Sequence, residues 1–189
     1  MDILISRPVP GPAIESLREA GHFLTILPEE RSQAEFELGF SRAEGVLSML
    51  SDPITSSLIS TAPRLKVIAN YAVGYNNIDL QAASKAGVAV TNTPDVLTDA
   101  TADVTMILLL MTMRRIPESL TLLREGRFIG WRPNLLLGHD LRGKNLGIVG
   151  LGRIGQAVAD RARAFGMNIF YTSRSSAKPE FPFPCVSMA

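Results

Sequence analysis

A single cysteine in 189 residues, Cys185, cannot close an internal disulfide, so no disulfide framework holds this chain together. Neither sign of charge is in surplus: the formal net charge is +1, too little to neutralise a nucleic-acid backbone, and no nucleic-acid partner is expected. Long apolar runs are missing as well. Val104 to Met113 is shorter than the ~20 residues a bilayer requires, and Asp103 and Arg114-Arg115 bound it, so it reads as a buried helix and no membrane partner is expected. The start, Met1-Asp2-Ile3-Leu4-Ile5, lacks the basic flank and apolar stretch of a secretory signal. A reducing, cytoplasmic setting is the expectation. His22 and His139 stand apart from each other and from Cys185, so no metal-ligand spacing exists. Repeats and low-complexity tracts are lacking too, which sets aside solenoids and propellers.

What is present is an ordinary globular composition, 46% hydrophobic and 20% charged. Short Ile- and Val-rich runs alternate with helical stretches, the pattern of parallel strands joined by crossover helices, so the class is α/β. Ile3 to Ile5, Phe23 to Leu27, Gly45 to Met49, Leu65 to Asn70 and Val88 to Val90 read as strands. Helices are expected from Pro12 to Ala20, near Ile54 to Ser60 and over Leu80 to Ala86. Gly21 and Gly87 supply stops and Asp79 a cap. A first doubly wound domain covers residues 1–98 and a second 99–189. The second opens with a long apolar helix, Ala100 to Leu123, which Pro117 should kink or split. That helix is apolar on most sides, which implies burial within the monomer or against another subunit. Gly126 to Gly143, with Trp131 and His139, reads as an irregular arm.

The run Asn145-Leu146-Gly147-Ile148-Val149 leads into Gly150-Leu151-Gly152-Arg153-Ile154-Gly155, then a helix from Gln156 to Phe165 and a strand from Met167 to Tyr171. A strand, glycine-rich turn, helix and strand within about 30 residues is the context in which this fingerprint binds a dinucleotide. Gly150 permits the tight turn, Gly152 lets backbone approach a diphosphate, and Gly155 lets the helix close on the strand. The helix N-terminus then offers unpaired N–H groups to the anion. The bland alternative is a glycine turn with no ligand.

An Asp or Glu at the end of the second strand normally binds the ribose 2′-hydroxyl of NAD. Between Asp160 and Glu180 there is no acid, and the strand runs out through Ser173-Arg174-Ser175, with a cation where a 2′-phosphate would sit. NADP(H) is therefore the preferred cofactor and NAD(H) the alternative, unless Arg174 is a solvated surface arginine.

Four ordered stretches carry a wider likeness: Asn70-Tyr71-Ala72-Val73-Gly74-Tyr75-Asn76-Asn77-Ile78-Asp79, Thr91-Asn92-Thr93-Pro94-Asp95-Val96-Leu97, Ala100-Thr101-Ala102-Asp103, and the glycine turn with Gln156. Over nearly its whole length the chain resembles the D-isomer-specific 2-hydroxyacid dehydrogenases, and within them the glyoxylate and hydroxypyruvate reductase branch. The resemblance implies a flavodoxin-like substrate domain followed by a truncated Rossmann dinucleotide-binding domain. It implies that the amides of Val73 and Gly74 hold the carboxylate of a small 2-keto or 2-hydroxy acid, as an anion-binding nest would. It places Leu151, Gly152, Arg153 and Ile154 along the diphosphate, Ser173, Arg174 and Ser175 at the 2′-phosphate, and Thr105 on the nicotinamide side. It also implies a homodimer through residues 99–145, with Trp131 in the dimerising arm. Val73 as a core residue, Thr105 bonded back to a helix carbonyl and Trp131 as packing are the structural alternatives.

The departure from the family concerns catalysis. The family's arginine, glutamate and histidine belong to the second half of its chains, and none of them is present. His22 and His139 are near neither Val73 nor the glycine turn by any sequence argument. Ketone reduction needs a proton donor and a cation at the carbonyl, so this chain is expected to carry no catalytic residue and to be inactive alone, as a fragment. A sheet of two nucleotide-domain strands, with an open edge and face, should bind hydrophobic dyes and purify poorly. Two other readings stay open: a non-catalytic, corepressor-like dinucleotide-binding protein, and 3-phosphoglycerate or formate as the substrate.

Overall fold

The computed structural model describes residues 1–173 and 182–186. The chain divides into two compact units, Met1–Val96 and Leu97–Ala189. In the first, β1 (Asp2–Ile5), α1 (Ala13–Glu19), β2 (Phe23–Ile26), α2 (Gln33–Arg42), β3 (Gly45–Ser48), α3 (Ser56–Ser60), β4 (Val67–Asn70), α4 (Leu80–Lys85) and β5 (Ala89–Thr91) alternate without exception. All neighbouring strands pair in parallel, in the order β2-β1-β3-β4-β5. This is the flavodoxin-like doubly wound arrangement, whose strand order reverses between β1 and β3.

The strands are short apolar runs because both faces of such a sheet are covered. Leu4, Val46 and Ile68 are buried in one core with Phe36 and Phe40 of α2, whose rings meet edge to face at 5.8 Å. The strands and helices expected from the sequence in this unit are present with shifted ends. The helix between β2 and β3 is an addition: α2 had no counterpart in the sequence reading. Its start was written in the chain as Ser32-x-x-Glu35. The Ser32 hydroxyl accepts from the Glu35 amide at 3.2 Å and the Glu35 carboxylate accepts from the Ser32 amide at 2.7 Å, a reciprocal capping box. The Ser32 amide first, and then the Ser32 hydroxyl, which also donates to that carboxylate at 2.7 Å, hold the Glu35 carboxyl below its ordinary pKa.

The second unit contains α5 (Thr98–Met113), α6 (Ile116–Arg124), β6 (Asn145–Val149), α7 (Arg153–Ala164) and β7 (Asn168–Thr172). The long apolar helix is indeed split: Arg115 adopts a left-handed φ of 53° and Pro117 lies in the first turn of α6. α7 starts at Arg153, earlier than the Gln156 expected. It packs on α5 through Ala102, Met106, Val158, Ala159 and Ala162. Arg161 crosses this interface to Asp99 at 3.0 Å and Asp103 at 2.6 Å. Those two bonds, Asp99 first, raise its guanidinium pKa. β6 and β7 pair in parallel; among the described residues no strand pairs with the other edge of β6, whereas the outer edge of β7 is covered in part. The Tyr171 amide donates to the Pro184 carbonyl at 3.1 Å and the Val186 amide to the Tyr171 carbonyl at 2.7 Å. One face of this sheet carries, among the described residues, a hollow of about 560 Å³ lined by Ile148, Val149, Phe170 and Val186 among others.

Candidate functional site

In the first unit the carboxyl ends of β1, β3 and β4 meet at the strand-order reversal, where open α/β sheets place their ligands. A buried polar residue stands at the end of β3 and of β4, Ser48 and Asn70, and another, Ser6, directly follows β1. The rim around them is tied by an ion pair out of solvent, Arg31 to Asp52 at 2.5 Å, with side-chain exposures of 4% and 0%. Arg31 also donates to the Ser6 carbonyl at 3.0 Å and lies 4.1 Å over the Phe36 ring, while Asp52 accepts from the Met49 amide at 2.8 Å. One arginine and one carboxylate thus fasten the loops after β1, β2 and β3 together. Sequence reasoning missed both.

The loop after β4 contains Val73 and Gly74. Tyr71 donates its amide to the Ser48 carbonyl at 2.7 Å, which continues the ladder one residue past the strand. Beyond it the amides of Val73, Gly74 and Tyr75 meet no acceptor among the described residues, whereas the carbonyls of Ala72, Val73 and Gly74 are all taken. Ala72 accepts from the Thr93 amide at 2.9 Å, Val73 from Asn92 Nδ2 at 2.8 Å, and Gly74 from Asn70 Nδ2 at 2.8 Å. Val73 is half-buried, not core. A Cβ on Gly74 would touch Leu50 at an ordinary 3.6 Å, so packing alone does not demand glycine there. The loop thus leaves three consecutive backbone N–H groups without an acceptor among the described residues, with exposed Leu50 beside Gly74.

In the second unit Gly150 closes β6 at φ 96°, and its amide donates to the Thr172 carbonyl at the end of β7, 2.8 Å. Gly152 precedes α7 in extended conformation, and no side chain caps that helix. A Cβ on Gly150 or Gly152 would enter open space, whereas one on Gly155 would stand 2.3 Å from the Gly150 carbonyl oxygen. The three glycines therefore divide into two that leave the turn open and one that the helix-to-strand approach requires. Leu151 is buried and its carbonyl accepts from Gln156 Nε2 at 3.1 Å, while Arg153 is exposed and Ile154 half-buried. An open, uncapped helix start with room at two glycines fits a diphosphate.

The remaining positions differ in what they offer. Thr105 is exposed on α5 and its hydroxyl donates to the Thr101 carbonyl at 2.8 Å. Ser173 follows β7, half-buried. Arg174 and Ser175 lie outside the described residues. His22 stands before β2, at the amino ends of the strands and so opposite Val73, and its ring faces the chain N-terminus at 3.4 Å. His139 is exposed in the second unit. Among the described residues no group of His, Cys, Asp and Glu could hold a metal ion, and no helix is long and apolar enough to cross a membrane.

The sequence model of the D-isomer specific 2-hydroxyacid dehydrogenase catalytic domain matches residues 3–178. A glyoxylate reductase of Thermococcus kodakarensis is 51% identical over 185 residues, covering 94% of this chain and 55% of its own length. The crystal structure of the TT0316 protein from Thermus thermophilus superposes with a TM-score of 0.93 at 45% identity, over 99% of this chain and 60% of that one. At 25% and 26% identity stand an acyclic imino acid reductase solved with NADPH and D-Arg (TM-score 0.85) and a formate dehydrogenase of Staphylococcus aureus solved with NAD (TM-score 0.83). Each matches 99% of this chain and 60% of its own. The chain spans about half the length of the curated relatives it matches.

Proposed function

Because this chain belongs to the D-isomer specific 2-hydroxyacid dehydrogenase family, we propose that it forms the substrate-binding unit and the opening of the nucleotide-binding unit of a reductase acting on glyoxylate or hydroxypyruvate. The observation that carries the reading is the run of acceptor-free amides at Val73 and Gly74, set at the carboxyl ends of a doubly wound sheet. Those amides hold the carboxylate of the 2-keto acid, with Leu50 beside Gly74. Gly150, Leu151, Gly152, Arg153, Ile154 and Gly155 hold the diphosphate of the dinucleotide at the start of α7, with Thr105 on the nicotinamide side. NADPH, when bound, supplies the hydride that converts the ketone to a D-2-hydroxy acid. The protein's part is to orient the carboxylate and exclude water. The proton donor and the cation at the carbonyl come from residues outside this chain, which alone is inactive. Two chains pair through residues 99–145, where α5, α6 and the arm expose Val104, Leu108, Leu123, Ile129 and Trp131.

The test is the gene product carrying this chain together with its downstream partner residues, assayed by NADPH absorbance with glyoxylate and with hydroxypyruvate. Oxidation of NADPH by either acid is expected, and none with the 189-residue chain alone. Dinucleotide binding without turnover of any 2-keto acid overturns the reading. The preference for NADPH rests on Ser173, Arg174 and Ser175 and has its own check. Arg174→Ala should lower the NADPH-to-NADH affinity ratio by about tenfold to a hundredfold, the value of a charge-assisted bond to phosphate. An unchanged ratio in calorimetry removes the preference.

A further inference from the structure

We propose that Asn92 and Asn70 are positioning residues that aim the carboxylate-binding amides, and that the Tyr75 amide is a third donor beside those of Val73 and Gly74. The inference rests on the carboxylate reading above. A trans peptide is planar, so its C=O and the N–H of the next residue point in opposite directions. No peptide bond of the described chain is cis. Gripping a carbonyl therefore fixes the direction of the following amide. The Thr93 amide grips Ala72 and so aims Val73 N–H. Asn92 Nδ2 grips Val73 at 2.8 Å and aims Gly74 N–H, and Asn70 Nδ2 grips Gly74 at 2.8 Å and aims Tyr75 N–H. Three consecutive peptide groups are anchored by their carbonyls, and all three amides lack an acceptor among the described residues.

The anchors are themselves held. Asn70 is 2% exposed, its Oδ1 accepts from Ser48 Oγ at 2.9 Å, and its Nδ2 also donates to Asn77 Oδ1 at 3.1 Å. Asn77 in turn donates to the carbonyls of Met49 and Asp52 at 3.1 and 3.0 Å, which ties it to the turn braced by Arg31. A side-chain carboxamide suits the task because it donates to a carbonyl without adding a charge beside the anion. Preset donors meet the ligand with little ordering left to do, which is where the gain in affinity lies.

The experiment uses the 189-residue chain labelled with ¹⁵N and titrated with oxalate as the carboxylate probe. The amide resonances of Val73, Gly74 and Tyr75 should move together. Asn92→Ala should weaken oxalate about five- to tenfold, the value of one hydrogen bond, while the protein melts with the parent. Without ligand, ¹⁵N relaxation should report a more mobile Gly74 amide in that variant, a signature that lost packing elsewhere would not confine to one residue. Asn92→Ser, polar but too short to reach Val73, is the second variant and should behave alike. Parental oxalate affinity and Gly74 order in these variants overturn the positioning role and leave the carboxylate reading standing. A still Tyr75 beside moving Val73 and Gly74 removes the third donor. Stationary Val73 and Gly74 in the parent remove the carboxylate reading and this inference with it.

Discussion

Gly155 and Gly152 sit three residues apart in one turn yet answer to different forces. An added Cβ at Gly155 meets a backbone oxygen at 2.3 Å that has no room to retreat, because it belongs to Gly150 at the end of β6. Gly155→Ala should therefore destabilise the second unit by about 1–3 kcal/mol in thermal melts, the usual cost of overpacking. At Gly152 an added methyl meets nothing. Gly152→Ala should melt like the parent and lose dinucleotide affinity, because the methyl occupies the space where the diphosphate approaches. A fully retained affinity in calorimetry would count against that placement. In the first unit, Asp52→Ala leaves the Arg31 guanidinium buried without its partner, and about 3–5 kcal/mol should disappear from urea unfolding. The turn at Gly150 and the close approach at Gly155 were legible in the chain because spacing reports backbone demands. The Arg31–Asp52 pair was not, because a salt bridge across 21 residues leaves no local pattern.

Among elements, the junction of β3 and β4 carries the clearest pH dependence. Glu44, just before β3, accepts from Lys66 at 2.7 Å and from the Asp2 amide at 3.0 Å. Those bonds, Lys66 first, lower its carboxyl to about 2. An unfolded glutamate titrates near ~4.3, so the stabilisation is fully present above that pH and is lost as pH falls toward the folded value. Acid unfolding followed by circular dichroism should steepen between these limits, and Glu44→Gln should flatten it there. A variant with the parental slope would assign the transition to other carboxylates. Element by element, strands were readable because runs such as Val67–Asn70 are short, apolar and β-branched. α2 escaped because its face is mixed and only its capping box marks it. α6 was foreseen as a break, since a proline so near the end of an apolar run leaves few alternatives.

For the whole molecule, the apolar surface of α5, α6 and the arm sets the expected assembly. Ile129 and Trp131 are 80% and 81% exposed, with Val104, Leu108 and Leu123 above half. Sedimentation at micromolar concentration should give a mass near twice 20.5 kDa. Leu108→Glu combined with Trp131→Ala should shift it toward one. A monomeric parent would mean that another partner covers this surface. The open hollow over β6 and β7 points the same way for dye binding, although the segment at Pro184 to Val186 already covers part of the sheet edge that the sequence left bare.

The sequence by itself determined the alternation of strand and helix, the glycine-bearing turn before α7 and the family likeness, because each is written in residues close along the chain. Tertiary structure decided which side chains aim the donors. Asn92 reaches Val73 across 19 residues and Asn70 meets Ser48 across 22, pairings that exist only because parallel crossovers bring the carboxyl ends of β3, β4 and β5 side by side. Periodicity records which face of an element is buried. It carries no record of which distant carbonyl a buried carboxamide will grip, since that depends on strand order and register.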